Sequence, residues 1–343
     1  MKILMNNISL IGALSLIGAA ALVSGPPAVT APTWLAQANL SGGRNNQPDV
    51  RAIVQKAEKL ESEGKYSEVA AIYREFLANA EKALGPDHPD VALGLNRLAG
   101  LLQEQGHYAA AELLYRRSLA ICEKALGPNN RAVAANLNNL GVVLISQGHY
   151  AAAEPLYRRS LAIHEKALGP NQLDVALSLN NLAMLLSRQG QYIAAEPLYR
   201  RSLAIYEKVL GPNHPDVALS LNNLAGLLRS QGHYAAAEPL YRRSLAIYEK
   251  ALGPNHPDVA LSLNNLAGLR DVQVQYDAAE PLFRRSLAIY EKALGPTHPD
   301  VALSLENLGG VLISQGHYAA AEPLCRRSLA IYEKVLGPNH PDV

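Results

Sequence analysis

Histidines are the side chains here whose type and spacing could do chemistry, because imidazole binds metals and transfers protons. His-Pro-Asp tripeptides begin at His88, His214, His256, His298 and His340. A second set, each directly before a tyrosine, is His107, His149, His233 and His317. Neighbours within either set lie at least 42 residues apart, too dispersed for the ligands of one zinc site. The proline and aspartate of the first set instead indicate a helix start, where a missing amide and a negative charge are both tolerated.

No other set of residues indicates catalysis. The only cysteines, Cys122 and Cys325, fall at non-equivalent points of the repeat described below, which argues against a disulfide or a zinc-binding pair. Nothing resembles a nucleophile with its base, a phosphate-binding loop or paired carboxylates. We therefore expect no enzyme activity, no cofactor, no metal ion and no small-molecule substrate.

Arginine pairs form the main basic pattern of the chain. They begin at Arg116, Arg158, Arg200, Arg242, Arg284 and Arg326. Overall, 31 Lys and Arg residues balance 30 Asp and Glu residues, for a net charge of +1, so bulk charge predicts no nucleic-acid partner. Glutamates lie one helical turn from these arginines, which favours a solvated face of ion pairs. A basic stripe for polyanions is the alternative.

These residues recur because the whole chain is periodic. Leu-Gly-Pro begins at Leu84, Leu126, Leu168, Leu210, Leu252, Leu294 and Leu336. A tyrosine keeps the same register at Tyr66, Tyr108, Tyr150, Tyr192, Tyr234, Tyr276 and Tyr318. Two independent markers thus share a period of 42 residues without insertions, which is the signature of a repeat architecture.

The clearest unit runs from Asn213 to Pro254 and predicts two helices. The first begins at Pro215 and carries one apolar face, formed by Val217, Leu221, Leu224, Leu227 and Leu228. Gly232 permits a tight turn. The second helix runs from about Ala235 to Leu252, with Pro239 near its start, and ends at Gly-Pro.

One hairpin cannot bury its apolar faces alone, so neighbouring hairpins must stack. We predict an all-α, right-handed superhelical solenoid of seven antiparallel helix pairs over residues 49–338. Residues 339–343 begin an incomplete eighth repeat, and self-association end to end is one consequence of that unfinished end. The first repeat is the most polar, which suits a cap.

The first 38 residues differ from the repeats. Lys2 precedes an apolar run from Ile8 to Val23, and Ala36-Gln37-Ala38 offers a cleavage site, the layout of a signal peptide. We predict export to the periplasm or the extracellular space, with residues 39–48 as a linker. An uncleaved N-terminal membrane anchor is the alternative.

The repeat resembles the tetratricopeptide repeat, in the 42-residue form of kinesin light chains and many bacterial proteins. The matching residues in the central unit are Leu221, Leu224, Ala225, Leu228, Gly232, Tyr234, Ala237 and Tyr241. Ser244 departs from the usual alanine, and in the sixth unit Arg270 and Val274 replace the leucine and glycine before and within the turn. An altered turn is therefore expected there.

The resemblance implies that first helices line a concave groove, at the positions of Leu219, Asn222, Gly226 and Arg229. The asparagine recurs as Asn96, Asn138, Asn180, Asn222 and Asn264. Such amides fit an extended peptide, because each can donate to and accept from its main chain. Val142, Ile145 and Met184 would add an apolar patch. The alternatives are that the amides tie helices together, as we expect for the second asparagine at Asn223, and that variation at these positions is drift.

These expectations favour a non-catalytic scaffold that binds a protein or peptide in its concave groove. Bacterial proteins with similar exported repeats often carry an effector after them. The alternative is therefore a regulatory or substrate-recruiting arm of a longer enzyme, such as a caspase-like peptidase.

Overall fold

The structure is a computed structural model that describes residues 50–62 and 65–336. The predicted signal peptide (residues 1–38), the linker (39–48) and the incomplete eighth repeat (339–343) lie outside the described residues. None of the helices within the described ranges combines the length and the apolar character that a bilayer span requires.

The described residues form two compact units that meet in sequence between Gly190 and Gln191. In the first unit the helices are α1 (Val50–Ser62), α2 (Tyr66–Leu84), α3 (Pro89–Glu104), α4 (Tyr108–Leu126), α5 (Arg131–Ser146), α6 (Tyr150–Leu168) and α7 (Leu173–Arg188). In the second they are α8 (Tyr192–Leu210), α9 (Pro215–Ser230), α10 (Tyr234–Leu252), α11 (Pro257–Val272), α12 (Tyr276–Leu294), α13 (Pro299–Ser314) and α14 (Tyr318–Leu336). Odd-numbered helices are the first helices of the repeat and even-numbered helices the second. The predicted all-α fold of paired helices is confirmed.

His-Pro-Asp starts the first helices through a side-chain cap. In α9 the Nδ1 atom of His214 accepts a hydrogen bond of 3.2 Å from the backbone amide of Asp216. His88, His256 and His298 make the same bond at α3, α11 and α13. An imidazole nitrogen therefore satisfies one of the amides that every helix start leaves without a partner. The prediction that this tripeptide is a capping motif is confirmed.

Stacking of the helices buries a cluster of side chains that runs through α2 to α6 of the first unit. Phe76, Leu95, Ile121, Leu137 and Ile163, one from each helix from α2 to α6, belong to the same buried cluster. Such a core, in which each helix pair contacts only its neighbours, is what a repeat architecture requires.

Ser244 has a structural role that the usual alanine could not fill. Its hydroxyl is buried and donates a hydrogen bond of 2.7 Å to the backbone carbonyl of Ala218, so it joins α10 to α9. The equivalent serines in α4, α6, α12 and α14 make the same bond to their own first helices. The departure from the family pattern therefore adds a hydrogen bond between the two helices of each of these pairs.

The turn between α11 and α12 keeps the left-handed residue of the other turns despite its different residue type. Val274 has a φ of 62° where Gly232 has 78°. Val274 donates its amide to the Asp271 carbonyl at 2.8 Å, as Gly232 does to Arg229 at 3.0 Å. The turn is altered in another hydrogen bond, since the amide of Gln273 bonds to the Arg270 carbonyl, three residues back, whereas that of Gln231 bonds to the Leu227 carbonyl, four residues back. The flanking helices fix the turn, and a β-branched residue adopts a left-handed conformation that disfavours it.

Replacing Val274 with glycine should remove this strain. We expect Val274→Gly to raise the free energy of unfolding by about 1 kcal/mol, because glycine adopts positive φ without a steric penalty. Urea denaturation of the wild type and the variant measures the change. Gly232→Val is the matched reverse substitution and should lower stability by a similar amount, so equal midpoints for all three proteins would contradict this account of the turn.

Candidate functional site

One stripe of each first helix stays open in the structure. In α9 it consists of Leu219, Asn223, Gly226 and Ser230, which are half-buried and spaced by four, three and four residues. The corresponding stripes are Ala135, Asn139, Val142 and Ser146 in α5, and Leu177, Asn181, Met184 and Arg188 in α7. These spacings place each set on one side of its helix. We call the stripes of α5 and α7, which belong to the first unit, the first-helix face.

The asparagines predicted to face a ligand lie below this surface. Asn138, Asn222 and Asn264 are only 3–4% exposed and Asn180 is 9% exposed. Asn96, at the start of the series, is half-buried.

Hydrogen bonds explain why these amides are buried. The Nδ2 atoms of Asn138 and Asn222 donate to the Oγ atoms of Ser178 and Ser262, both at 2.9 Å and both in the following first helix. Asn96 likewise donates to the Oδ1 of Asn136 at 2.9 Å. These bonds and the burial count against presentation of these amides to a peptide, and the Oδ1 atoms of Asn138 and Asn222 are buried without a partner within the described residues. The amides tie consecutive first helices together, which is the alternative the sequence left open.

The second asparagine of each pair occupies the open stripe instead. Asn139, Asn181 and Asn223 are half-buried on their helices. Neighbouring residues of an α-helix point about 100° apart. Of two consecutive asparagines, one therefore lies in the contact between first helices and the other lies at the surface. Asn223 and its equivalents, which we expected to be the structural ties, are therefore the more exposed members of each pair. Some of them also bond to a neighbouring first helix, since Asn139 donates to the Oδ1 of Asn96 at 3.3 Å.

The predicted apolar patch is narrower than expected. Val142 and Met184 are half-buried on the first-helix face, whereas Ile145 is 4% exposed and belongs to the core. Below Val142, the backbone of Gly141 lies against the fully buried ring of Tyr157, where an added Cβ would come within 2.7 Å of Cε1. Val142 and Met184 are therefore the members of the predicted patch that a ligand can reach.

Arg229 lies in the second unit beside an acidic residue of the next first helix. Burial raises the pKa of Asp271, and the positive charge of Arg229 offsets part of that rise. The Nη1 atom of Arg229 is buried and has no hydrogen-bond partner within the described residues. Arg229 is thus half-buried and close to a carboxylate, and it retains an unused donor.

The arginine pairs of the second helices are neutralised by glutamates. Arg242 bonds through Nε to Glu238, one turn earlier, at 2.9 Å, as expected. Arg243 bonds instead to Glu207 of the preceding second helix at 2.6 Å and to the carbonyl of Pro212 at 3.1 Å. Equivalent bonds recur at Arg117, Arg159, Arg285 and Arg327. This connection between repeats was missed by the sequence reasoning, and it leaves the arginines engaged with carboxylates rather than free for a polyanion.

Groups capable of metal binding or nucleophilic chemistry stay dispersed. Within residues 50–62 and 65–336, no three His, Cys, Asp or Glu side chains gather where they could hold a metal ion. Both cysteines are free thiols, and burial raises the pKa of Cys122 to about 11, so this group remains a thiol near neutral pH.

A comparison with protein families identifies the repeat. A family model described as tetratricopeptide repeat matches residues 51–124, 95–166, 174–250, 273–334 and 300–343, which together make up more than half of the chain. A second model of the same description matches residues 138–208. No curated protein matched the sequence.

Solved structures share this fold. A putative kinesin light chain from Podosopora anserina with nearly identical TPR-like repeats is 27% identical, with a TM-score of 0.51, and the match covers 60% of this chain and 97% of that one. BtubC (BKLC) from P. vanneervenii is 24% identical, with a TM-score of 0.54 and coverage of 70% and 93%. The Rap conjugation gene regulator of the plasmid pLS20, solved with the Phr* peptide, is 13% identical, with a TM-score of 0.61 and coverage of 82% and 72%.

Proposed function

This chain belongs to the tetratricopeptide repeat family, and from that premise we propose that it is a non-catalytic scaffold that binds another protein. We further propose that the partner contributes an extended peptide segment, that this segment lies along the first helices, and that the scaffold acts after export directed by residues 1–38. The observation that carries the proposal is the first-helix face, whose half-buried side chains are mainly apolar or amide.

Sequence variation within the chain supports this face as the binding surface. The repeats are nearly copies of one another, yet the position of Gly226 changes to Val142 and Met184 in the first unit. At the same place the other repeats have Glu58, Gly100, Gly226, Gly268 and Gly310. A surface that differs between otherwise similar repeats can select one partner, because specificity depends on contacts that are not repeated.

The chemistry of the first-helix face fits a peptide with an apolar residue at its centre. Val142 and Met184 provide the apolar contact, and methionine adapts its shape to different side chains. Asn139 and Asn181 lie beside them, with amides that can donate to or accept from a peptide main chain. Binding of an extended segment would combine main-chain hydrogen bonds for affinity with one apolar anchor for selectivity.

A structural neighbour is consistent with this mode of binding. The Rap regulator of similar fold was solved in complex with the Phr* peptide. The fold can therefore hold a peptide in at least one protein of this architecture, which supports the class of partner proposed here without identifying it.

A random peptide library displayed on phage tests the proposal, with the most enriched peptide measured by fluorescence anisotropy. We expect Met184→Ala to weaken binding of that peptide by about tenfold or more, because central apolar anchors contribute most of the binding free energy. Circular dichroism verifies that the variant remains folded.

The matched control is Leu113→Ala. Leu113 is 70% exposed on α4, a second helix of the same unit, so its truncation should leave peptide affinity unchanged. Equal losses for the two variants, or a library that yields no saturable binder, would count against the first-helix face.

A further inference from the structure

The contact between α6 and α7 contains a buried histidine where other repeats have a different residue. His164 is 4% exposed. Its equivalents in α8, α10 and α12 are Tyr206, Tyr248 and Tyr290, and in α4 it is Cys122. Among these equivalents it alone has a side chain whose ordinary pKa lies near 6.5.

The hydrogen bonds around His164 can be satisfied by a neutral ring. Ser178, on α7, accepts a hydrogen bond from Nδ2 of Asn138, and its Oγ lies 2.9 Å from Nδ1 of His164. Ser160 uses its own proton to bond the Ala134 carbonyl at 2.8 Å. The remaining proton of Ser178 can therefore be donated to an unprotonated Nδ1, or to the Oγ atom of Ser160, 3.4 Å away.

The charged groups that face His164 do not favour a cation there. Arg131 at the start of α5 and Asp174 at the start of α7 are paired with each other at 2.7 Å. Burial lowers the pKa of His164 most strongly. Asp174 raises it through its charge and a backbone hydrogen bond, and the positive charge of Arg131 lowers it. Because Arg131 already pairs with the carboxylate of Asp174, a protonated ring would be an extra buried positive charge.

We propose that His164 makes the contact between α6 and α7 sensitive to acid. Uptake of one proton by the ring leaves Nδ1 unable to accept from the Ser178 hydroxyl and places a charge beside Asp174, a carboxylate that already pairs with Arg131. The hydrogen bonds that Ser178 of α7 makes with Asn138 of α5 and with His164 of α6 then weaken. As a result α7, which carries Met184, separates from α5 and α6 more readily. This device does not depend on the identity of any ligand.

The direction of the pH effect follows from proton binding. In the unfolded chain His164 takes up a proton near its ordinary value of about 6.5, whereas in the folded protein it does so only at lower pH. Its contribution to stability is therefore complete above that value and is lost as the pH falls below it.

Urea denaturation at about pH 7.5 and about pH 5.5 tests the proposal. The lower pH lies about one unit below the ordinary pKa of histidine, so protonation of His164 can raise the unfolding constant by at most about tenfold there. His164→Tyr installs the residue found in the second unit. Between these two pH values, we expect the unfolding constant of the wild type to rise by up to that factor more than the unfolding constant of the variant. Amide hydrogen exchange, compared at the same pH, should place the difference in α6 and α7.

The matched control is His149→Gln, since glutamine occupies the same place before Tyr192 and Tyr276. This exposed histidine should leave the pH dependence of the wild type unchanged. If the tyrosine does not fit, His164→Cys copies the residue of α4. Identical pH dependence in the wild type and a folded His164 variant, or acid-enhanced exchange spread evenly over all helices, would overturn the proposal.

Discussion

Gly141→Ala is expected to lower the free energy of unfolding by about 1 to 3 kcal/mol, the range for overpacking a close-packed core. The new Cβ would lie 2.7 Å from Cε1 and 2.8 Å from Cζ of Tyr157. Tyr157 is fully buried, so its ring has no space into which to retreat. Urea denaturation measures the loss.

Gly310→Ala is the matched control for this substitution. Gly310 also lies in a first helix, α13, but nothing comes within 4 Å of a Cβ built there. Alanine at this site should stabilise the protein by up to about 1 kcal/mol through helix propensity alone. Opposite signs are thus expected for two glycine-to-alanine changes, and losses of equal size would show that the contact with Tyr157 is unimportant.

The residues beside this tyrosine come in a different order in α5 and in α9. In α9 the order is Ala225 then Gly226, and the hydroxyl of Tyr241 lies 3.5 Å from a Cβ built at Gly226. In α5 the small residue comes one position earlier, as Gly141 then Val142, and the tyrosine ring lies against Gly141. The double variant Gly141→Ala with Val142→Gly restores the Ala-Gly order of α9 and should therefore recover part of the stability that the single variant loses.

Asn222→Ala should cost about 1 to 3 kcal/mol of stability, because it removes a buried donor and leaves the Ser262 hydroxyl with one partner fewer. Peptide affinity, measured on the folded variant, should stay within about twofold, since the side chain is 4% exposed and bonded within the protein. Urea denaturation and fluorescence anisotropy with the library peptide give the two values.

Asn181→Ala provides the comparison, because it makes the same change of residue type as Asn222→Ala and so brings the same gain in helix propensity. Asn181 is half-buried on the first-helix face, so its loss should weaken peptide binding more than it lowers stability. If Asn222→Ala weakened binding while stability held, the buried asparagines would be ligand contacts, as the sequence first indicated.

Sequence alone predicted the parts of this molecule that depend on neighbours along the chain. The start of α9 at Pro215 and the end of α10 at Leu252 agree with the structure, because capping residues and helix breakers act locally. Pro239 lies inside α10 without ending it, as its place near the helix start predicted.

Features that depend on how repeats stack could not be predicted with the same precision. The rotation of each first helix against the next decides that Asn222 is buried and Asn223 half-buried, and a motif position does not specify that angle. Ile145 is buried for the same reason. The bond from Arg243 to Glu207 joins residues 36 apart, a separation that helical periodicity within one helix cannot indicate.

Met184 offers the most direct test of the central claim that the first-helix face binds a partner segment. The chain has three methionines, Met1, Met5 and Met184, so methionine labelled with ¹³C at its methyl group gives few resonances, and Met184→Leu assigns the one of interest. During titration with the library peptide, the account predicts that the Met184 resonance shifts saturably, with the Kd that anisotropy gives. Saturable binding by anisotropy with an unmoved Met184 resonance would place the partner elsewhere and contradict the account.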